Sequence, residues 1–392
     1  MSHQLNDYFK SLGTYSSTKK IQRSILYQGL KEEINRVAYG IEYGFYAPSL
    51  GESPLPLKKK SFYRVVAWNL ERGIQFEGIL NTLRTHPEIS KADLLLLPET
   101  DSGMARTKNR NVAQELAKAL GMNYFFAPSY LNLCMGNSVE SHTTGTNELG
   151  LHGNAILSRY PLENLRIIPL KNCKDKMRGK EKRLGCQKAL VAEVCFPFQK
   201  MTAICVHLDA HSSQKQRAEQ TETIFSSIDL KTYPVLLGGD LNTSTYNARH
   251  AFFTFCGFWN KVFRGVDDVI ENHYPYPDRY YDKRLFDVLR KYGLNTENLN
   301  ALGEGTFHYH VDDLKGNYLV KEVIPEWGRK IMETTLRRHG GKVSIKMDWF
   351  AGRGLRPAPS ETGALPPTVI GQLKENGKPL SDHDAILADI IF

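Results

Sequence analysis

Short, almost uninterrupted apolar runs separated by turn residues constrain the fold of this chain more than any other feature. They begin near Phe62, have the length of strands, and are often flanked by Gly, Asn, Asp or Pro. Because the runs are continuous rather than alternating, they predict sheets covered on both faces, as in two packed sheets with helices outside. The predicted strands are 62–68, 93–97, 155–157, 189–196, 201–206, 235–237 and 385–391, with helices at 76–85, 112–120 and 214–228.

Polar side chains lie where six of these runs end or begin. They are Asn69 after VVAW, Glu99 after LLLLP, His207 after AICV, Asp240 and Asn242 after VLLGG, Asp348 after VSIKM, and Asp382 with His383 before AILADII. For any one of these residues a capped strand end is the simpler interpretation. Turns do not require this combination of carboxylates, amides and imidazoles, however, so the whole set predicts a site built across the edge of a sheet.

The residue types in this set suit the hydrolysis of a phosphate ester. Glu99 and Asp240 offer hard oxygen ligands without thiolates, which favours Mg²⁺ or Mn²⁺ over zinc. Asp348 and His383 predict a carboxylate–imidazole pair, in which the acid fixes the tautomer and the ring handles a proton. The amides add neutral groups that ligate an ion or donate to a phosphoryl oxygen. A metal Lewis acid, an oriented water and a proton donor are what this reaction requires.

Short motifs around these residues occur in a fixed order: WNLERG, LLLLPETD, GNAILSR, VHLD, GGDLNTS, KMDW and SDHD. Each is weak alone, but the ordered set in its strand contexts is specific. With it the chain resembles the endonuclease/exonuclease/phosphatase superfamily, which includes pancreatic-type deoxyribonucleases, abasic-site endonucleases, neutral sphingomyelinases and inositol polyphosphate phosphatases. The resemblance covers Phe62 to Phe392 except 257–346. It implies a four-layer α/β/β/α sandwich with the site at one edge of two packed mixed sheets.

The resemblance also implies a set of metal ligands. Glu99 would be the principal ligand of Mg²⁺ or Mn²⁺. Asn69 would lie beside it and contact both the metal and the substrate, and Asp382 would be a further ligand, direct or through water. Two arginines outside these positions are candidates for substrate binding, because a guanidinium approaches a phosphate bidentately. These are Arg159 in LSR and Arg217 in QKQRAEQ, for which buried salt-bridge or helix-surface roles are equally expected.

The implied catalytic residues are five. Asp240 would orient or deprotonate the attacking water, and Asn242 would hold a phosphoryl oxygen. His383, paired with Asp348, would stabilise the transition state or serve as acid or base. His207 would contact the phosphate or protonate the leaving oxygen. Which of Asp240 and the histidines is the general base stays open at this point.

The leading hypothesis for function is a divalent-metal-dependent phosphodiesterase of nuclease type, with nucleic acid ahead of small phosphorylated molecules as substrate. A histidine at position 207 departs from the pattern of abasic-site endonucleases and agrees with deoxyribonucleases, sphingomyelinases and inositol phosphatases. One alternative is a phosphomonoesterase or phospholipase C-type enzyme acting on inositol phosphates or lipid headgroups. Another is a non-catalytic binding scaffold, against which the intact catalytic positions argue. The net charge of +9 suits any phosphate substrate without choosing one.

The predicted organisation is a short N-terminal helical extension with a linker (residues 1–60) and one catalytic domain (61–392) that carries an insertion around 257–346. A helix is expected over 19–39, and the proline- and lysine-rich stretch 48–60 is expected to connect it to the domain. The insertion lies between two predicted site residues, Asn242 and Asp348. It is therefore expected to overhang the site and to set the shape of the substrate.

A cytoplasmic location is expected for this chain. No secretory signal is recognised at its start, and no apolar stretch approaches the ~18 residues of a membrane span. The six cysteines show no zinc spacing and no CxxC pair, which is typical of a reduced protein. No partner protein is indicated.

Overall fold

Two β-sheets packed face to face form the centre of the structure, a computed structural model that describes residues 1–48, 60–136, 143–245, 247, 251–310 and 326–392. Most of the predicted linker, residues 49–59, lies outside the described residues. Among the described helices, none combines the length and the apolar character needed to cross a membrane.

Nine strands of the described chain form the first sheet. They are β1 (Glu42–Gly44), β2 (Tyr63–Ala67), β3 (Leu94–Ser102), β4 (Asn123–Asn132), β5 (Leu151–Ser158), β7 (Arg183–Gly185), β14 (Arg356–Pro357), β15 (Thr368–Ile370) and β18 (Ala385–Ile391). Their order is β1-β4-β5-β3-β2-β18-β14, with β7 added to β4 and β15 added to β18. Because β2 and β3 are parallel and the other pairs are antiparallel, the sheet is mixed.

The second sheet has the order β13-β10-β9-β8-β6 in the part of the chain that is described. Its strands are β6 (Leu162–Pro169), β8 (Lys188–Phe196), β9 (Gln199–His207), β10 (Val235–Asp240) and β13 (Asp348–Arg353). Only its β9–β10 pair is parallel among these strands. Two small antiparallel pairs lie outside the sheets: β11 (Phe307–His310) with β12 (Lys342–Ile345), and β16 (Lys374–Glu375) with β17 (Lys378–Pro379).

Helices cover the outer faces of both sheets. The described helices are α1 (Phe9–Leu12), α2 (Thr18–Gln22), α3 (Ile25–Ala38), α4 (Phe76–Thr85), α5 (Val112–Leu120), α6 (Gln214–Ser226), α7 (Ala251–Arg264), α8 (Val266–Asp268), α9 (Lys283–Lys291) and α10 (Glu326–Arg338). Apolar side chains of α1 to α5 share one core cluster with the outer face of the first sheet. Those of α6 and α9 share another with the outer face of the second sheet, where Phe286 lies 4.7 Å from Trp349, ring centre to ring centre.

A third core cluster lies between the two sheets. Val65, Leu96 and Ile156 of the first sheet meet Ala203 and Phe350 of the second, and all five are buried. Burial of this kind on both faces explains why the strands are continuous apolar runs. The layers therefore follow one another as helix, sheet, sheet, helix, which confirms the predicted α/β/β/α sandwich.

Several predicted elements have different bounds in the structure. The helix expected over 19–39 is two helices, because Ser24 caps α3: its Oγ accepts a hydrogen bond from Tyr27 N at 3.1 Å. The unpredicted strand β4 contains Pro128, which lies at a break in its pairing with β5. The expected strand before Asp348 is β12, which ends at Ile345, and Asp348 itself begins the next strand, β13.

The segments outside the motif region take part in the sandwich. β1 pairs with β4, and α9, which lies within 257–346, belongs to the outer layer on the second sheet. The boundary at residue 60 and the extent of the insertion stay predictions.

Candidate active site

Three neighbouring strands of the second sheet bring His207, Asp240 and Asp348 side by side. β9 ends at His207, β10 ends at Asp240 and β13 begins at Asp348. Asp240 is in register with His207 across the parallel pair and with Asp348 across the antiparallel pair. Residues in register across adjacent strands point to the same face of a sheet. These three side chains therefore form a row at one edge of the second sheet.

The first sheet contributes Asn69, Glu99 and His383 to the same edge. Asn69 lies two residues after the end of β2, and His383 lies two residues before the start of β18, the antiparallel neighbour of β2. Glu99 lies in β3 where the pairing with β5 breaks between Leu97 and Thr100. The backbone of Glu99 is left-handed, with φ of 54°. Such a conformation costs about 1–3 kcal/mol in a non-glycine residue, and it is held here by the surrounding sheet.

A hydrogen-bonded pair of His383 and Asp348 is the best-defined feature of the cluster. His383 Nδ1 lies 2.7 Å from Asp348 Oδ2, and both side chains are buried. Burial disfavours the imidazolium, but the charges of Asp348 and Asp240 outweigh it and raise the pKa of His383 well above its ordinary value. Thr306 Oγ1 also donates to Asp348 Oδ2, at 2.6 Å. The pair therefore holds a protonated ring in a fixed orientation.

Asp240 lies at the centre of the cluster. Its Oδ2 accepts hydrogen bonds from the amides of Asn69 and Asn242, both at 3.2 Å, and its Oδ1 accepts one from Asn242 N at 2.7 Å. His207 Nε2 and His383 Nε2 lie 3.5 Å and 3.8 Å from the same Oδ2. Burial, with the charge of Asp348, raises the pKa of Asp240 to about 7 against the opposing effect of His383. A carboxyl group of that pKa is suited to take up a proton near neutrality.

His207 is buried between Asp240 and Glu99. Its Nε2 lies 3.8 Å from Glu99 Oε1, and burial lowers the pKa of His207 to about 4. The ring is therefore neutral at pH 7. A neutral imidazole suits the predicted contact with the phosphate better than the predicted protonation of the leaving oxygen.

The Glu99 carboxylate has the character of a cation ligand. Burial alone would raise the pKa of Glu99, but Arg72, His207 and His152 lower it below its ordinary value, so the group is ionised. Among the described residues, none donates a hydrogen bond to either carboxylate oxygen, and Arg72 Nε lies 3.9 Å away. An ionised carboxylate with unoccupied lone pairs is what a hard cation requires.

Two further carboxylates lie near Glu99. Partial burial and the charge of Asp382 raise the pKa of Glu71 to about 7, and Glu99 adds to the effect. Repulsion among three carboxylates is relieved by a bound cation, so the residues present fit a divalent metal. Of the three, Glu71 was missed by sequence reasoning, although it stands in the motif WNLERG two positions after Asn69.

A second set of potential ligands overlaps the histidine pair. Asp240, Asp348 and His383 each present an atom, and these atoms lie within 4.8 Å of one another. The closeness of Asp348 and His383 follows from their own hydrogen bond, which occupies one oxygen and one ring nitrogen, and Thr306 occupies the same oxygen again. We therefore favour Glu99, with Asn69 and Asp382, as the metal ligands.

The structure does not bring Arg159 or Arg217 into this cluster. Arg159 donates to the backbone carbonyls of Ala92 and Ser90, before the start of β3 and thus at the other end of the strand from Glu99. Arg217 is fully buried and bound to Asp282 at 2.8 Å. Both guanidinium groups hold the fold together in this structure, so neither is positioned for the predicted contact with substrate.

A second histidine–carboxylate pair borders the cluster. His152, at the start of β5, lies with Nδ1 2.9 Å from Asp101 Oδ1, and Asp101 is held by Arg106 at 2.6 and 3.0 Å. The position of His152 just before GNAILSR was its only signal in the sequence. Thr306 had none, because it precedes Asp348 by a long stretch of chain and lies in the predicted insertion.

Comparison with known proteins identifies a family and sequence relatives for this chain. A model of the Endonuclease/Exonuclease/phosphatase family matches residues 66–383. The uncharacterized protein YbhP of Escherichia coli strain K12 is 31% identical over 157 residues, which make up 39% of this chain and 54% of YbhP. YbhP of Shigella flexneri gives the same values. The chain thus spans about half the length of the curated relatives it matches.

The solved structures that match this chain have low sequence identity to it. TDP2 of D. rerio, crystallised with a single-strand DNA product, is 14% identical with a TM-score of 0.45, over 85% of this chain and 100% of that one. An AP endonuclease from Archaeoglobus fulgidus is 12% identical with a TM-score of 0.44, over 83% of this chain and 98% of that one.

Proposed function

The chain belongs to the Endonuclease/Exonuclease/phosphatase family, and on that premise we propose that it is a Mg²⁺- or Mn²⁺-dependent phosphodiesterase of nuclease type. The observation that carries the proposal is the convergence of two histidines and two asparagine amides on the buried carboxyl of Asp240. A structural site would not need so many titratable groups around one buried acid.

The metal would be held by Glu99, Asn69 and Asp382. Among the described site residues, Glu99 is the only ionised carboxylate that accepts no hydrogen bond. When bound, the ion supplies a Lewis acid for a phosphoryl oxygen. Arg72, 3.9 Å from Glu99, keeps this carboxylate ionised before the ion arrives.

Asp240 is the general base in this proposal. Its pKa of about 7 allows it to accept a proton from water at neutral pH, and the amides of Asn69 and Asn242 fix its orientation. Asn242 is itself held by a hydrogen bond from its amide to Leu208 O at 2.9 Å. The acceptor oxygen is thus directed by two rigid strand ends.

The histidines stabilise the charge that develops on the phosphoryl group. His383, kept protonated by Asp348, presents its Nε2 toward Asp240 and so toward the reacting oxygen. His207, neutral at pH 7, offers an N–H donor to a phosphoryl oxygen when its Nε2 carries the hydrogen. Neither ring has to change its protonation state before the attack.

Nucleic acid is the proposed substrate, ahead of inositol phosphates or lipid headgroups. The net charge of +9 is compatible with a polyanion, as it is with the other phosphate substrates. The predicted insertion adds to this proposal, since Thr306 and Phe307 touch the histidine pair, with the Phe307 ring centre 5.2 Å from that of His383. A segment so placed sets which substrates reach the site. A cytoplasmic location stays a prediction.

The test is hydrolysis of bis-p-nitrophenyl phosphate and of plasmid DNA with Mg²⁺, comparing wild type, Glu99→Ala and His383→Ala. Glu163→Ala is the matched control, because Glu163 is an exposed carboxylate on β6. We expect both site variants to lose activity and the control to keep it. Equal activity in all four proteins contradicts the proposal, and release of inorganic phosphate from monoesters would favour the phosphomonoesterase alternative.

A further inference from the structure

A cavity of about 430 Å³ opens between α2 and the segment 172–185, outside the cluster described above. Its size falls within the range of small-ligand sites, of order 300–1,000 Å³. The side chains that line it are rich in lysine and arginine. They include Thr18, Lys19, Asn172, Lys174, Lys176 and Arg183.

The cations of this cavity are incompletely paired. The side-chain ammonium groups of Lys19 and Lys174 have neither an ion pair nor a hydrogen bond to any part of the chain that the structure describes. Arg183 also lines the cavity, and its Nη2 lies 3.2 Å from Glu181. Cations that line one cavity repel each other, and a bound anion relieves that repulsion. The arrangement therefore favours an anion inside the cavity.

The only carboxylate among the described residues that line the cavity already accepts hydrogen bonds. Asp175 accepts hydrogen bonds from Thr18 N at 2.9 Å, from Thr18 Oγ1, and from Met177 N at 3.0 Å. These contacts fasten α2 to the segment that carries Lys174 and Lys176. The cavity is thus enclosed by two chain segments, α2 and residues 172–185, and α2 has no role in the candidate active site.

One residue that lines the cavity is hydrogen-bonded to the chain segment that follows His207. Lys176 Nζ donates to Asp209 Oδ1 at 2.7 Å, and Asp209 follows His207 by two residues. Cys173 N donates to the other oxygen of Asp209 at 2.8 Å. The ammonium group of Lys176 is thus paired with Asp209, which leaves Lys19, Lys174 and Arg183 as the cations available to a ligand.

We propose that this cavity binds a phosphate group, held by Lys19, Lys174 and Arg183. Lysine ammonium groups neutralise phosphate as point charges, and the arginine fork adds directed donors. Two sources supply this chemistry: a further phosphate of the substrate chain, or a separate small phosphorylated molecule. The site itself does not depend on the proposed function, because its occupancy is measurable without hydrolysis.

Binding is tested by calorimetric titration of the full chain with tripolyphosphate, in EDTA and at near-physiological salt. The test variant is Lys19→Gln with Lys174→Gln. The control is Lys20→Gln with Lys171→Gln, which removes the same charge from exposed neighbours that do not line the cavity. We expect at least about tenfold weaker binding in the test variant, since each charge-assisted hydrogen bond contributes substantially to affinity. Equal weakening in both variants, or no binding by wild type, would overturn the proposal.

The source of the phosphate is tested by steady-state hydrolysis with Mg²⁺. If it belongs to the substrate, the test variant has a higher KM for oligonucleotides than the control, with a smaller difference on bis-p-nitrophenyl phosphate. If it belongs to a separate ligand, test and control variants have equal KM values while tripolyphosphate binding is lost only in the former. If the wild-type protein hydrolyses none of these substrates, the proposed function is contradicted. The calorimetric test of the phosphate site is unaffected by that result.

Discussion

His383 Nδ1 lies 2.7 Å from Asp348 Oδ2, across the interface between the two sheets. His383 precedes β18 of the first sheet, whereas Asp348 begins β13 of the second. The backbone carbonyl of His383 accepts a hydrogen bond from Trp68 Nε1 at 2.9 Å, which fixes the main chain at His383. The ring thus has one nitrogen committed to a carboxylate and the other free to face Asp240. The hydrogen bond between His383 and Asp348 therefore depends on how the two sheets pack against each other.

Replacing Asp348 by Asn tests the role of this pair. The amide removes the charge that keeps His383 protonated and no longer fixes its tautomer, so kcat for bis-p-nitrophenyl phosphate is expected to fall by about 10²–10⁴-fold. Asp287→Asn serves as the control, because Asp287 is an exposed carboxylate on α9. A D348N enzyme with the kcat of the control would contradict the role assigned to the pair.

Replacing Thr306 by Val tests whether the insertion supports the site. Thr306 Oγ1 donates to Asp348 Oδ2 and accepts from Met347 N and Asp348 N at 3.1 and 3.0 Å. Val removes the acceptor of these two buried N–H groups and one of the two hydrogen bonds to Asp348 Oδ2, at a cost of about 1–3 kcal/mol in the free energy of unfolding. We expect a lower urea midpoint and a kcat reduced by about tenfold, the value of one lost hydrogen bond to a charged group. Thr306→Ser keeps the hydroxyl and should restore both; a T306S protein as impaired as T306V would refute this.

The sandwich could be predicted from the sequence because its strands are buried on both faces. A strand such as β2 is buried at every position and is apolar except for Arg64, and the polar Asn69, two residues after its end, marks the edge of the sheet. The same logic found β3, β9 and β10. It missed β6, whose exposed positions at the edge of the second sheet leave it without a continuous run.

The site could be predicted only in part, for a related reason. Residues at strand ends, such as Asp240 and His207, are brought together by register, which the chain order anticipates. Thr306 reaches Asp348 through a tertiary contact that no local pattern announces. The role of Arg217 could not be decided from its residue type, because an arginine binds a phosphate and a buried aspartate equally well. Only the position of Asp282 in the fold decides between the two roles.

Replacing Arg217 tests this structural role. Its guanidinium binds Asp282 and Thr245 Oγ1, both at 2.8 Å, and Asp282 in turn accepts a hydrogen bond from Ser244 N at 2.7 Å. Arg217→Met leaves a buried aspartate unpaired, which should lower the free energy of unfolding by about 3–5 kcal/mol. Arg159→Met, at an exposed position, should lower it by less than about 1 kcal/mol. Urea unfolding of the two variants measures the difference, and equal losses would contradict the assignment.

Metal affinity should increase with pH, because the cation competes with protons on the site carboxyls. The pKa of Asp240 is raised to about 7 by burial, and that of Glu71 to about 7 by burial and by Asp382. Below about pH 7 the carboxyl groups of Asp240 and Glu71 carry protons in the metal-free protein, and a bound cation would displace these protons. Above it the carboxylates are already ionised.

The affinity for Mn²⁺ should therefore increase by up to about tenfold per displaced proton for each pH unit between about pH 6 and 7, and level off by about pH 8. Calorimetry in two buffers of different ionisation enthalpy measures both the affinity and the number of protons released. Asp240→Asn and Glu71→Gln each remove one of the two groups, so the pH dependence should weaken in each variant and weaken further in the double variant. Wild-type affinity that is the same at pH 6 and pH 8, or unchanged proton release in the double variant, would show that other groups control metal binding.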